Sequence, residues 1–433
     1  MLRGHTSSGT ESTRIELSWP VNSDALTLID EWGPEKIVCV SDQKTGMRGV
    51  LVLDNTARGM GKGGTRMSPN LTVEEVSRLA RTMTWKWAAV DLFHGGAKAG
   101  ILGDPNDPNK EAILRAFARA LANEVPSAYV FGLDMGLTES DSAIFLDELG
   151  DRGAAVGLPR ALGGLPYDEL GVTGFGVAEA ADAAAATIGL GISGARVVIQ
   201  GFGAVGQAAA ERLIELGAEI VGISTAVGAL HDPDGLDIAR LVELRAGAGD
   251  NCVREYGPTQ LSADDILGVD TDILVPAARE DVIGAEVAAV TKARLVVEGA
   301  NMPTTREARE VLSRRGIAVV PDFIANAGGV VAAAHSMDAR YSPFAIDPSA
   351  VFAMVSDKLR ANTVRVLSDS LKFNVAPHEA ARALAQKRVF DAMVLRGQHP
   401  PNDSARVDSA HSDSAHSDSA RIDSARIDSA RVS

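Results

Sequence analysis

The sequence predicts an α/β protein of two domains, the second built on a doubly wound parallel sheet. Three observations carry that expectation. At 433 residues the chain exceeds what one hydrophobic core usually organises. Its first part offers strand-like and helix-like segments in mixed order. From about Leu170 onward, short apolar runs alternate with turn or helix signals in the regular βα rhythm of a parallel sheet.

Composition bounds the possible partners. Apolar residues make up 45%, charged residues 23% and aromatics 4%, as in an ordinary globular protein. A formal charge of -15 opposes nucleic-acid or anionic-membrane binding, since both need a dominant cationic surface. Small-molecule partners fit better. Cys39 and Cys252 stand too far apart for a CxxC metal site or a disulfide framework, so no metal is expected. With no signal-peptide core and no apolar stretch of membrane-spanning length, the expected location is cytoplasmic.

Taken in order, residues 1–25 read as a flexible extension and 26–168 as the first domain. "KIVCV" and "RGVLVLDN" are expected strands. "LTVEEVSRLARTMTWKWAAV" opens with Thr72 and carries Glu75 three residues on, a capping-box start. Its Val76, Leu79, Ala80, Met83, Trp87 and Val90 fall on one helical face, which predicts a core-facing helix. The second domain, 169–345, contributes the strands "ARVVIQ", "EIVGIST", "TDILVPA", "RLVVEGA" and "IAVVPDF". A last helix, about 375–398, precedes Pro400 and Pro401, where helical order should stop. Residues 402–433 hold six repeats of Asp-Ser-Ala-(Arg/His)-(Val/Ser/Ile), from Asp403 to Val432. A period of five matches neither helix nor strand, so this tail reads as a disordered extension rather than an interaction arm.

"RVVIQGFGAVGQAAAERLIELGAEIVGIST" sets Gly201, Gly203 and Gly206 at GxGxxG spacing between an apolar strand and an amphipathic helix that opens with Ala204 and Val205. In that context the first glycine permits the turn, the second lets a pyrophosphate approach, and the third packs helix on strand. A Rossmann-like dinucleotide site follows. Where NAD readers end their second strand with a carboxylate, this chain has Ser224 and Thr225. A 2'-phosphate meets no repulsion there, so NAD or NADP is expected, with a lean to NADP or dual use.

Three lysines stand out. Lys86 falls at the edge of the helical stripe, roughly opposite Arg81 on the solvent face, either snorkelling or facing a polar pocket. Lys62 in "GMGKGGTRM" and Lys98 in "FHGGAKAG" sit among paired glycines, where missing side chains suggest room for a ligand. Each remains readable as an ordinary loop cation.

The blocks "KGGTRMSPNLTVEEV", "MTWKWA", "GGAKAG", "GFGAVG", "VVEGANMPTT" and "PDFIANAGGVV" occur in the order seen in the glutamate/leucine/phenylalanine/valine dehydrogenases, which the chain resembles from about residue 30 to about 395. The resemblance implies an N-terminal α/β substrate and oligomerisation domain, onto which the last helix packs back, and a Rossmann-like doubly wound dinucleotide-binding domain. It also implies a homo-oligomer, a hexamer in many relatives. By motif, Lys98 resembles the catalytic lysine, Asp134 the acid/base aspartate, and Lys86 the lysine for the substrate α-carboxylate. Lys62, with Gly63 and Gly64, resembles the site for a side-chain carboxylate. Thr173, Asn301 and Asn326 match positions lining nicotinamide and substrate.

The implied chemistry is oxidation of an L-amino acid at Cα, attack of water on the iminium carbon, and loss of ammonia to leave a 2-oxo acid. Such a reaction needs a base for the water. Lys98, partly desolvated beside other lysines, should have a depressed pKa. Lys62 argues for L-glutamate, whereas Ala333, seven residues after Asn326, stands where glutamate-specific relatives carry a serine. Glutamate is favoured over a leucine, valine or phenylalanine type of activity. A non-catalytic nucleotide-binding relative is disfavoured because Lys86, Lys98 and Asp134 are all retained.

Overall fold

The computed structural model describes residues 25–167, 169–257 and 261–399. The pentad tail and all but the last residue of the expected N-terminal extension lie outside the described residues.

The first sheet comprises β1 (Lys36–Asp42), β2 (Met47–Asn55), β3 (Gly61–Lys62), β4 (Thr65–Ser68), β5 (Gly95–Leu102) and β6 (Tyr129–Val130). Its order is β1-β2-β5-β3-β6, with β4 also on β5. β1, β2 and β5 pair antiparallel, while β3 and β4 run parallel to β5. Lys62 lies opposite Gly96 and Thr65 opposite Ala99, so β3 and β4 follow one register along β5 with Gly63-Gly64 between them.

Both faces of this sheet are covered, which explains why β2 and β5 read as continuous apolar runs. Leu51, Leu53, Ala97 and Ile101 pack on one side with Leu114 and Phe117 of the Lys110–Ala120 helix. Val50 and Val52, pointing the other way, meet Val76 and Ala80 of the Val73–Ala89 helix.

That helix starts as expected at Thr72, whose Oγ1 accepts the Glu75 N–H at 3.1 Å. The Glu75 carboxylate does not close the box; it turns instead to Arg66, at 2.7 Å. The buried face is wider than the stripe in the sequence, because Ser77, Thr84, Ala88 and Ala89 are covered too. Arg81 is not a solvent-face residue. It pairs with the buried Asp54 and with Asp30.

The second sheet comprises β7 (Arg196–Gln200), β8 (Glu219–Thr225), β9 (Gly228–His231), β10 (Ile273–Pro276), β11 (Leu295–Val297) and β12 (Ala318–Val320). Strand order is β12-β11-β10-β7-β8-β9, parallel except for β9, which returns antiparallel on β8. The expected strands are present, while the short β9 edge departs from an all-parallel sheet. Connections leave β7 to β8 on one side and reach β10 on the other, which places the topological switch, where such sheets bind ligands, at the C-terminal end of β7.

The Pro348–Phe373 helix packs on Val172–Thr187. The Pro377–Leu395 helix returns to the first domain, where Arg388 Nη1 donates to the Ala88 and Ala89 carbonyls at 2.8 Å each. Among the described residues, no helix is long and apolar enough to cross a membrane.

Candidate active site

β5 carries Lys98 into the interior, 4% exposed, and the turn after β6 brings Asp134 to meet it. Lys98 Nζ donates to Asp134 Oδ2. The other carboxylate oxygen accepts Arg66 Nε at 2.7 Å, and Arg66 in turn binds Glu75. Burial pushes the Asp134 carboxyl up, but the Lys98 ammonium and the Arg66 guanidinium outweigh it and hold it below its ordinary range. For Lys98 burial wins: its pKa is lowered despite Asp134, and Arg66 adds to the lowering.

Lys62 is buried on β3 and, among the described residues, has no carboxylate partner. Its ammonium donates to the Val130 carbonyl at 3.0 Å and, at 3.4 Å each, to those of Gly63 and Phe131. Burial first, then Lys98 and Arg340, push its pKa down to about 7. Trp87 Nε1 fixes this strand by donating to the Lys62 carbonyl at 2.9 Å.

Lys86 faces the cleft between the domains, lined also by Thr173, Val205, Ala277, Asn301 and Asn326. Burial lowers its pKa; Asp322 opposes this and Lys98 reinforces it. The structure therefore gathers the three lysines within electrostatic reach, with Lys98 felt by both others. Asn326 Nδ2 donates to Asn301 Oδ1 at 3.0 Å, and its own Oδ1 is buried without a partner. Ala333 lies half-buried on the Gly328–Ala339 helix against the cluster that contains Trp87.

At the glycines beside the lysines an added side chain would run into protein. A Cβ on Gly63 would stand 1.7 Å from the Ala97 carbonyl oxygen, one on Gly64 2.4 Å from that of Leu133, and one on Gly96 2.0 Å from Thr84 Oγ1. The residue that makes room for an ammonium is Gly132, where a Cβ would meet Lys62 Nζ at 2.4 Å.

The region 163–397 matches the family model for glutamate/leucine/phenylalanine/valine dehydrogenase, and 34–150 matches that for the Glu/Leu/Phe/Val dehydrogenase dimerisation domain. This chain belongs to that family. The NADP-specific glutamate dehydrogenase of Saccharolobus shibatae is 37% identical over 384 residues, 84% of this chain and 90% of that protein. The NAD-specific glutamate dehydrogenase of Staphylococcus aureus is 37% identical over 355 residues, 79% and 84% respectively. Among solved structures, the hetero-hexameric glutamate dehydrogenase of Thermus thermophilus in its Leu-bound form superposes with a TM-score of 0.74 at 30% identity, covering 86% of this chain and 93% of that one.

In this dehydrogenase the glycine loop has the shape a dinucleotide needs. Gly201 takes φ +96°, and a Cβ there would meet Ala278 at 2.7 Å. At Gly206 a Cβ would stand 1.9 Å from the Gly201 carbonyl oxygen, so that helix and strand can touch. At Gly203 a Cβ would meet nothing within 4 Å, and the Ala204–Glu215 helix begins there, the position at which a helix N-terminus can receive an anion. Ser224 Oγ accepts the Gly201 N–H at 3.2 Å and Thr225 Oγ1 donates to the Asp250 carbonyl at 2.8 Å, so both hydroxyls are engaged within the protein.

Sequence reasoning missed three residues of the dehydrogenase site. Arg66 was visible as a second cation four residues after Lys62, and Gly132 as a small residue two before Asp134. His94, directly before the glycine pair, is half-buried against Trp87 with ring centroids 5.0 Å apart, and among the described residues its buried Nδ1 has no partner.

Proposed function

We propose that this dehydrogenase oxidatively deaminates L-glutamate to 2-oxoglutarate and ammonia, reversibly, with NAD or NADP. The observation that carries the reading is the buried Lys98–Asp134 pair set among Lys62, Lys86 and the glycine cradle. The dinucleotide would be held by Gly201, Gly203, Ala204, Val205 and Gly206, with Thr173, Asn301 and Asn326 at the nicotinamide end, and it supplies the hydride acceptor. Relatives of both NAD and NADP specificity support either cofactor.

Lys86 binds the α-carboxylate and Lys62 the side-chain carboxylate, fixing Cα by two charged ends. Asp134 removes a proton from the substrate ammonium, freeing the nitrogen lone pair as the hydride leaves Cα. Lys98 in its neutral form takes a proton from water while the oxygen attacks the iminium carbon. Asp134 returns its proton to nitrogen; its carboxylate, free again, accepts the hydroxyl proton through the hydrogen-bonded Lys98 as the C–N bond breaks, and ammonia leaves a 2-oxo acid. Closure of the cleft excludes bulk water.

The test is initial-rate reduction of NAD and NADP against a panel of L-amino acids. Glutamate should lead; preference for leucine, valine or phenylalanine would move the reading to the apolar branch, and silence on all substrates would favour a binding protein. The dimerisation-domain match supports a homo-oligomer, and a hexamer in the cytoplasm is the finer proposal, checked by mass in solution and by cell fractionation.

A further inference from the structure

We infer that Arg340 supplies the second cationic contact to the distal carboxylate of a dicarboxylic substrate, in the neighbourhood that Ala333 leaves without a donor. The inference rests on the dicarboxylate reading of the same site.

Arg340 caps the Gly328–Ala339 helix, seven residues and two turns beyond Ala333, so both share one helical face. Ser336 between them is held by Tyr167, whose OH donates to its Oγ at 2.8 Å. Arg340 lines a cavity with Val156. The Val156 N–H donates at 2.9 Å to the Phe131 carbonyl, the same oxygen that Lys62 Nζ approaches at 3.4 Å. Val156 and Val130 pack with Met337, whose carbonyl accepts Arg340 Nη1. Arg340 and Lys62 are thus joined through one carbonyl and one small apolar cluster.

The charge balance of this corner is unfinished. Lys62 touches carbonyls alone, and among the described residues neither it nor Arg340 forms a salt bridge. Arg340 Nε and His94 Nδ1 are both buried without partners. Asp338, on the same turn as Arg340, is exposed. A buried Lys62 ammonium without an anion is costly, and a carboxylate arriving between it and the half-buried Arg340 resolves several deficits at once. The planar guanidinium fork suits a carboxylate better than a hydroxyl does. The competing role is structural, since the Arg340 guanidinium also lies 5.1 Å from the Tyr341 ring centroid.

The experiment compares Arg340→Met and Arg340→Lys with the parent in the full chain, titrating glutarate and valerate by calorimetry. These probes match in length and differ by one carboxylate, and neither needs turnover. Arg340→Met should weaken glutarate by about tenfold or more, the scale of one charge-assisted contact, with valerate unchanged and Arg340→Lys intermediate. Glutarate affinity within about twofold of the parent, equal losses for both probes, or no glutarate binding by the parent would overturn the assignment. Melting temperatures show whether either variant has lost its fold, and Arg340→Lys then carries the test. A parent that binds glutarate but does not oxidise glutamate would sink the substrate reading and leave the Arg340 comparison decisive.

Discussion

Lys98 donates to Oδ2 of Asp134, and their surroundings treat the two unequally: Asp134 is held ionised by two cations, while burial drives Lys98 toward its neutral form. The pair can therefore accept one proton from a substrate ammonium and another from water without either group leaving the interior.

Replacing Lys98 with Ala should lower kcat for amino-acid oxidation by about 100-fold or more, the usual size of a lost general base, while dinucleotide affinity measured by fluorescence stays unchanged. Turnover within a few fold of the parent would remove Lys98 from the chemistry.

Arg66 acts through Asp134, so Arg66→Met tests a positioning role. Without the guanidinium, burial raises the Asp134 carboxyl, and the acid limb of the kcat/KM profile should move to higher pH. A uniform loss with an unmoved limb would make Arg66 purely structural.

Lys62 predicts a pH-dependent stability. Its pKa lies at about 7 in the folded protein against 10.5 in the unfolded chain. Below pH 7 both states keep the proton and burial opposes folding in full; as pH rises toward 10.5 the folded state loses its proton first and stability rises. At ~1.4 kcal/mol per unit the penalty is on the order of 5 kcal/mol, reduced by the carbonyls that lose their donor on substitution. Lys62→Met should accordingly melt higher than the parent at pH 6 and lose that advantage at alkaline pH, with glutamate oxidation impaired throughout. Identical melting profiles would contradict the burial penalty.

Two neighbouring glycines should separate binding from folding. Gly203→Val projects into open space, so the variant should melt near the parent and bind dinucleotide poorly. Gly206→Ala meets a carbonyl 1.9 Å away and should lose about 1–3 kcal/mol in denaturant unfolding. The reverse pattern would show that the loop holds its glycines for other reasons.

The βα rhythm after Leu170, the helix beginning at Thr72 and the glycine fingerprint were legible because each depends on a local period or a local turn. β9 was not, since four residues carry too little periodic signal to mark a strand. Nor was the close packing of protein against Gly63, Gly64 and Gly96. A missing side chain leaves the same mark in sequence whether ligand or protein fills the place.

By itself the sequence determined which side chains are available for the chemistry: three lysines, one aspartate and a dinucleotide turn at family spacing. Only the tertiary structure decided which of them meet. Lys98 and Asp134 are 36 residues apart, and Arg340 lies far beyond Lys62 in the chain. Register along β5, burial and the approach of one domain to the other bring such residues together, and these are long-range consequences of packing that no local pattern encodes.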